Sequence, residues 1–253
     1  MKISVVTACY NARLTIEDAI LSVASQTHPD KEHVIVDGCS TDGTVEIIQS
    51  HQATITRWLS QPDDGIYDAM NKGIALAGGE VIGFLNADDM YADNSVLSRV
   101  ARVFSDPAVD ACYADLVYIN QRDATKIVRY WKSCDYQEGL FERGWAPPHP
   151  TFFVRGTVFD RYGAFCLDYR IAADVELMIR FLSRYKIRSV YVPKVFVKMR
   201  VGGVTNRSFL NIVKQNLEIY RAGKKNNIQI SPVSFVIGKI FFRIPQFLSR
   251  PSE

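Results

Sequence analysis

The spacing of apolar and polar positions changes period repeatedly through the first half of the chain. Ile3 to Thr7 is a β-branched apolar run and predicts a strand. Leu14 to Ser25 places Leu14, Ala19, Ile20 and Val23 at helical spacing. His33 to Val36 predicts a second short strand, closed by Asp37-Gly38, and Thr44 to Ser50 a short helix behind a turn rich in Asp, Gly, Ser and Thr. Ile55 to Leu59 suits a third strand, and Ile66 to Ala77 a helix that Gly78-Gly79 stops. Val81 to Leu85 is a continuous apolar run, the pattern of a strand buried on both faces. Ser95 to Phe104 is a further helix. This alternation predicts an α/β fold, a mostly parallel sheet with helices on both faces.

The pattern loosens in the second half. Val117-Tyr118 and Ile127 to Trp131 suit antiparallel strands, and Gly144 to Pro150 a loop. Asp174 to Tyr185 is an amphipathic helix through Leu177, Met178, Phe181 and Leu182. Two strands, Ser189 to Val192 and Val195 to Met199, lead to a turn at Gly202-Gly203. Without a βα repeat, this part reads as an extension of the same domain. Ser231 to Leu248 is amphipathic again. Val233, Val236, Ile237, Ile240, Phe241, Ile244 and Leu248 share one face, and Lys239, Arg243, Gln246 and Arg250 the other, with Pro245 weakening the last turn. A basic amphipathic helix of this kind suits either a membrane interface or packing on the domain.

Composition changes this picture little. The chain has 253 residues, 47% hydrophobic and 23% charged, ordinary for a globular protein of one large or two fused domains. No run is long and apolar enough to be a membrane span, and no secretory leader is recognised, so a cytoplasmic location is expected. Five cysteines without a C-x-x-C pair argue against a disulfide framework or a zinc site. Charge is more informative when divided: residues 221–253 carry +5 and the preceding part −2. The basic excess points to a surface partner for the tail. The slightly acidic body argues against nucleic-acid binding.

Parallel sheets bind ligands beyond the carboxyl ends of their strands. Three polar clusters fall there: Thr7 to Asn11, Asp37 to Gly43 and Asn86-Ala-Asp-Asp89. Adjacent carboxylates at Asp88 and Asp89 repel each other and are explained by a divalent cation, Mg²⁺ or Mn²⁺, although a turn or helix cap is the plainer alternative. Asp37 and Asp42 lie in a Gly-containing turn, where a carboxylate can accept from a nucleobase imide or a ribose hydroxyl, or cap the following helix. Lys72 suits a phosphate or plain solvation.

Taken in order, Val5-Val-Thr-Ala-Cys-Tyr-Asn11, Val36 to Thr44, Pro62-Asp-Asp-Gly-Ile-Tyr-Asp-Ala-Met-Asn-Lys-Gly73 and Gly83 to Asp89 resemble family 2 glycosyltransferases of the GT-A fold. The third run resembles the branch that builds bacterial cell-surface polysaccharides, including colanic-acid-type enzymes. The resemblance covers about residues 1 to 205. It implies a nucleotide-sugar-binding half at 1–115 and an acceptor-binding and catalytic half of the same domain at 116–205; the basic helical tail at 206–253 rests on its own residue pattern. It implies inverting transfer from a nucleotide-diphosphate sugar to a hydroxyl acceptor, a saccharide or lipid-linked saccharide, by an enzyme peripheral on the inner face of the membrane. Thr7, Tyr10, Asp37, Asp64, Lys72 and Asn86 then match donor-binding positions, and Asp88, with Asp89 beside it, the metal-binding acid. Asn86 stands where many relatives have a first Asp. Asp174, in Ile171-Ala-Ala-Asp-Val-Glu176, matches the catalytic base, with Ala173 in place of the usual Glu. His149 matches a family segment close to the acceptor cleft, with a satisfied loop histidine as the alternative, and Arg200 with the Gly202-Gly203-Val-Thr loop suits either a lid over the diphosphate or a simple turn. A sugar nucleotidyltransferase and a non-catalytic nucleotide-sugar-binding domain remain the alternatives. The first lacks its Gly-rich phosphate loop here, and only Asn86 and Ala173 favour the second.

Overall fold

The structure, a computed structural model, describes residues 1–202, 209–248 and 251. The Gly203-Val-Thr part of the expected lid lies outside the described residues.

Strand β1 (Ile3–Cys9) is buried along its whole length, as a β-branched run must be when helices cover both faces of the sheet. Helix α1 (Ile16–Ala24) leads to β2 (Lys31–Asp37), α2 (Thr44–Ser50) to β3 (Arg57–Ser60), and α3 (Ile66–Leu76) to β4 (Val81–Phe84). These four strands are parallel, ordered β3-β2-β1-β4, so their carboxyl ends share one edge. The third strand begins two residues later than its apolar pattern suggests, where Arg57 pairs with Val34.

Beyond β4 the sheet becomes mixed. The remaining elements are β5 (Met90–Tyr91), α4 (Val96–Val103), β6 (Ala111–Ile119), β7 (Ile127–Trp131), β8 (Phe153–Arg155), α5 (Gly156–Tyr162), α6 (Ala173–Met178), β9 (Ser189–Arg200), α7 (Phe209–Lys225), α8 (Pro232–Arg243) and α9 (Pro245–Leu248). The sheet continues β4-β8-β6-β9-β5, with β7 paired antiparallel to β6. The expected boundary at 115/116 falls inside β6, so both halves share one sheet.

Two elements differ from their patterns for physical reasons. Val117-Tyr118 is the end of nine-residue β6, whose polar centre, Asp115, is buried and accepts from the Tyr130 and Tyr191 hydroxyls and the Ser133 N–H. The two strands expected at 189–199 are one strand, β9, which bulges opposite Ala114 to Leu116 where Pro193 cannot donate to the ladder. The helix expected over 174–185 is α6, continued by a π-helical turn at Ile179–Arg184. Arg180 in that turn is buried against Glu176 and donates to the carbonyls of Tyr162, Gly163 and Ala164.

Candidate active site

The donor side is built from the loops after β1, β2 and β4. Asp37 is fully buried at the end of β2. Its carboxylate accepts from the Ser40 N–H at 3.0 Å, the Ser40 hydroxyl, and the Ser60 hydroxyl at 2.6 Å. It therefore shapes the 38–41 loop and ties it to β3. Asp42 accepts from the Arg13 N–H and from the N–H and hydroxyl of Thr44, so it fastens α2 to the β1 loop. Asn11 adopts φ 49° and bonds Ser40 and Thr41, closing the same seam. Thr7 is not on the wall of this site. It is fully buried, with its hydroxyl 3.0 Å from His33 Nε2, and it supports the floor beneath the loops.

Tyr10 is 66% exposed at the mouth of the seam. A Cβ on Gly38 would lie 2.5 Å from Asp63 Oδ2 and 3.4 Å from the Tyr10 ring, so Gly38 lets these two side chains approach the strand end. Asp64 is exposed in the turn, and its N–H is bonded to Asp68. Asp63, not singled out by sequence reasoning, is the acid that stands beside Tyr10. The signal was present in the double acid of Pro62-Asp-Asp-Gly65, but only packing against Gly38 separates the two. Lys72 bonds Asp68 at 2.9 Å and the Pro62 carbonyl at 2.8 Å, so it braces the turn that carries Asp63. The hydrogen bond from Lys72 holds the Asp68 carboxyl below the usual carboxylate range.

The Asn86–Asp89 turn follows β4, beside the β1 loop, where Ala87 packs with Cys9. Its two acids differ. Asp89 is fully buried, and accepts from the Asn86 amide at 2.9 Å and the Arg200 N–H at 3.2 Å. Burial and the neighbouring Asp88 charge push the Asp89 carboxyl well above the usual range. Asp89 is thus a scaffold group, and the expectation that it joins Asp88 at a metal is corrected by its inward orientation. Asp88 is half-buried on the outer side. Arg200 is only 9% exposed, donating to the Asp88 carbonyl at 2.9 Å and pairing with Asp18, so it clamps this turn and is not poised as a lid.

The residues present fit a divalent ion. Asn86 Oδ1, two residues before Asp88 in the same turn, is buried without a hydrogen-bond partner among the described residues, and an amide oxygen is a hard-cation ligand. Among the described residues no group of three or more His, Cys, Asp or Glu forms a protein-only cage. An ion there would complete its shell with donor phosphates, as Mg²⁺ commonly does.

The acceptor side brings residues together from distant parts of the chain. Asp174 lies in the first turn of α6, where the helix dipole favours a carboxylate. Its Oδ1 accepts from the Tyr67 hydroxyl at 3.0 Å, and Oδ2 lies 3.4 Å from His149 Nδ1. The Tyr67 hydroxyl also reaches the Ile171 carbonyl at 3.0 Å. Burial holds the His149 imidazole below its ordinary pKa, opposed by the Asp174 charge, and so favours the neutral ring. Burial and the same carboxylate push the Tyr67 phenol well up, keeping it a proton donor. Tyr67 belongs to α3, immediately after the Asp63 turn, and it packs on Phe165, which packs in turn on Phe84 ahead of Asn86. One aromatic bridge thus links Asp174 to both donor-side loops. Sequence reasoning missed Tyr67, and nothing in local spacing points to it.

Glu218 of α7 was also missed. Its carboxylate accepts from the N–H groups of Arg170, Ile171 and Ala172 at 2.8–3.1 Å, and so holds the segment that leads into Asp174. Asn71 fixes the preceding loop through both the N–H and the carbonyl of Phe165.

Comparisons with known proteins identify the family and the fold. Residues 4–162 match the family model of Glycosyl transferase family 2. A "PGL/p-HBAD biosynthesis glycosyltransferase" of Mycobacterium bovis is 31% identical over 207 residues, 80% of this chain and 78% of that protein. Among solved structures, S. aureus TarS 1-349 in complex with UDP-GlcNAc superposes with TM-score 0.69 at 19% identity, covering 96% of this chain and 71% of that one. The mannosyltransferase PcManGT of Pyrobaculum calidifontis, in complex with GDP-Man and Mn²⁺, gives TM-score 0.65 at 18% identity over 96% of this chain and 70% of that one. The likeness of fold establishes the GT-A architecture, and the sequence match establishes that this chain belongs to glycosyltransferase family 2.

Proposed function

We propose that the chain is an inverting, metal-assisted transferase that moves a sugar from a nucleoside-diphosphate donor to a hydroxyl of a lipid-linked saccharide in surface-polysaccharide synthesis. The observation that carries this reading is Asp174, a partly exposed carboxylate held by Tyr67 and His149 and joined through Phe165 to the donor loops. Known structures of the same fold hold UDP-GlcNAc or GDP-Man, which supports a nucleotide sugar as donor. The name of the mycobacterial relative, a PGL/p-HBAD biosynthesis glycosyltransferase, supports a biosynthetic sugar transfer.

Tyr10 and Asp63, with the loop anchored by Asp37, would shape the nucleoside pocket. Asp88, with the Asn86 amide oxygen, would hold the ion, whose chemistry is to neutralise charge on the departing diphosphate. The acceptor O–H gives its proton to Asp174 as its oxygen bonds to the anomeric carbon. The bond from that carbon to the diphosphate oxygen breaks, and its electron pair leaves with the nucleoside diphosphate. One base on the face opposite the leaving group suffices for inversion, with no enzyme nucleophile. Tyr67 aims one carboxylate oxygen and His149 borders the other, so the base is oriented before the acceptor arrives.

The test is a panel of UDP- and GDP-sugars offered to the purified protein with Mn²⁺, Mg²⁺ or EDTA, reading nucleoside diphosphate release and donor binding. Metal-dependent release with at least one donor is expected. Binding without release from any donor, with or without acceptor, points instead to a non-catalytic binding domain.

A further inference from the structure

The amphipathic helix of the tail is mounted with its apolar face outward. On α8 the positions turned to the body are Phe235, Gly238, Lys239 and Phe242. Phe235 is buried, and a Cβ on Gly238 would lie 2.0 Å from the Arg143 carbonyl oxygen, so the helix backbone rests directly on the Phe141–Arg143 turn. Lys239 spans inward to Asn216 of α7 at 2.8 Å, and burial pushes its ammonium down to about 8. In α9, Gln246 is buried under Arg129. The side chains left outside are Val233, Ile237, Ile240, Phe241 and Ile244, each more than half exposed. Neighbouring α7 repeats the pattern with Leu210, Val213, Leu217 and Tyr220 at i, i+3, i+7 and i+10, all exposed. Ordinary helix packing does the reverse, and a contiguous apolar surface of this kind marks an interaction site.

We propose that this outward face of α7–α9 docks on an anionic lipid bilayer, inserting its apolar side chains at the headgroup boundary. The inference rests on and deepens the lipid-linked-acceptor reading. Charge identifies the occupant. Lys214, Arg221, Lys224 and Arg243 are exposed on the same helices. The single acid of residues 209–248, Glu218, is turned inward onto the Arg170–Ala172 N–H groups. A second copy of the chain would set these cations against their own kind across a twofold contact. A phosphate-bearing membrane surface neutralises them instead. No described helix is long and apolar enough to cross a membrane, so the contact is interfacial. Because α7 also holds the segment leading to Asp174, docking sets the acceptor side of the site near the lipid in which the acceptor is anchored.

The test is co-sedimentation of the full chain with vesicles of phosphatidylcholine mixed with phosphatidylglycerol, against phosphatidylcholine alone. The protein is expected to pellet with the anionic vesicles and to be released by salt. The doubles Ile237→Gln/Phe241→Gln and Arg221→Gln/Lys224→Gln are each expected to lower partitioning about tenfold or more. Both alter exposed positions only, and nucleotide-sugar binding in solution, read by calorimetry, stays unchanged as the control on folding. A wild-type chain that stays in the supernatant with anionic vesicles overturns the proposal. So does a dimer in light scattering that Ile237→Gln/Phe241→Gln dissolves while vesicle binding is absent. Vesicle binding without sugar transfer would leave this proposal standing and remove the transferase reading.

Discussion

The donor and acceptor sides of the site are organised over very different lengths of chain. On the donor side each acid has a partner two or three residues away, Asp37 in Ser40, Asp42 in Thr44 and Asp89 in Asn86, to which Ser60, Arg13 and Arg200 add one distant contact apiece. On the acceptor side Asp174 is held by Tyr67, 107 residues away, and by His149, and the segment before it by Glu218, 46 or more residues away. Local hydrogen bonds make a rigid receptor loop whose carboxylates are already satisfied. Long-range contacts deliver one carboxylate whose remaining surface stays available for chemistry. In the proposed mechanism, the first set would hold the donor and the second would activate the acceptor.

Six substitutions break or sharpen that contrast. Asp174→Asn removes the proposed base and should lower transfer by about 10³-fold or more, at the upper end of general-base effects, with donor binding intact. Product formation and donor titration check it, and an active variant would remove Asp174 from the mechanism. Asp88→Ala should cost on the order of 100-fold in metal-dependent turnover with little change in melting temperature. The paired Asp89→Ala should instead lower stability by about 1–3 kcal/mol in denaturant unfolding, because it strips partners from buried donors. If the two variants behave alike, the outer and inner acids of the turn are not distinguished.

Tyr67→Phe leaves the ring and its packing on Phe165 but takes one donor from Asp174. A fall in kcat of about tenfold with donor KM unchanged is expected, measured by steady-state kinetics. Glu218→Ala leaves three N–H groups without their acceptor and should cost about 1–3 kcal/mol of stability, with a few-fold loss of kcat. An unchanged melting curve would show that α7 does not support the acceptor side. The smallest effect on activity is expected at the donor-side floor. Burial pushes the His33 imidazole down to about 3. A depressed folded pKa gives stability that is complete above the unfolded value near 6.5 and is lost as pH falls below it. His33→Gln should therefore flatten the acid side of the stability–pH curve by about 1.4 kcal/mol per pH unit between 6 and 4, and leave turnover at pH 7 unchanged.

The same contrast governs what was legible in the amino-acid order. The βα alternation, the order of the parallel strands' loops and the three polar clusters at strand ends follow from periodicity and turn residues, which act between chain neighbours. Helix α2 matches its expected bounds, and α1, α3 and α4 end within a residue or two of theirs. Strand β6 was legible only in part, because buried Asp115 interrupts its apolar run while Tyr130 and Tyr191 satisfy it from other strands. The tail was read correctly as an amphipathic helix, but its period does not say which face is covered.

The order of residues thus settled where acids, turns and helices would occur, and the family pattern settled the class of chemistry. Packing among distant segments decided how each adjacent pair of acids is placed: Asp63 beside Gly38 while Asp64 is exposed, and Asp89 buried while Asp88 is half-buried. It also placed Tyr67 and Glu218 around Asp174, and turned the apolar side of α8 outward because Gly238 lets its backbone seat on Arg143. The physical reason is one of range. Turn geometry and helical period depend on residues a few positions apart, whereas burial, and with it the availability of a carboxylate, depends on what the rest of the chain lays over it.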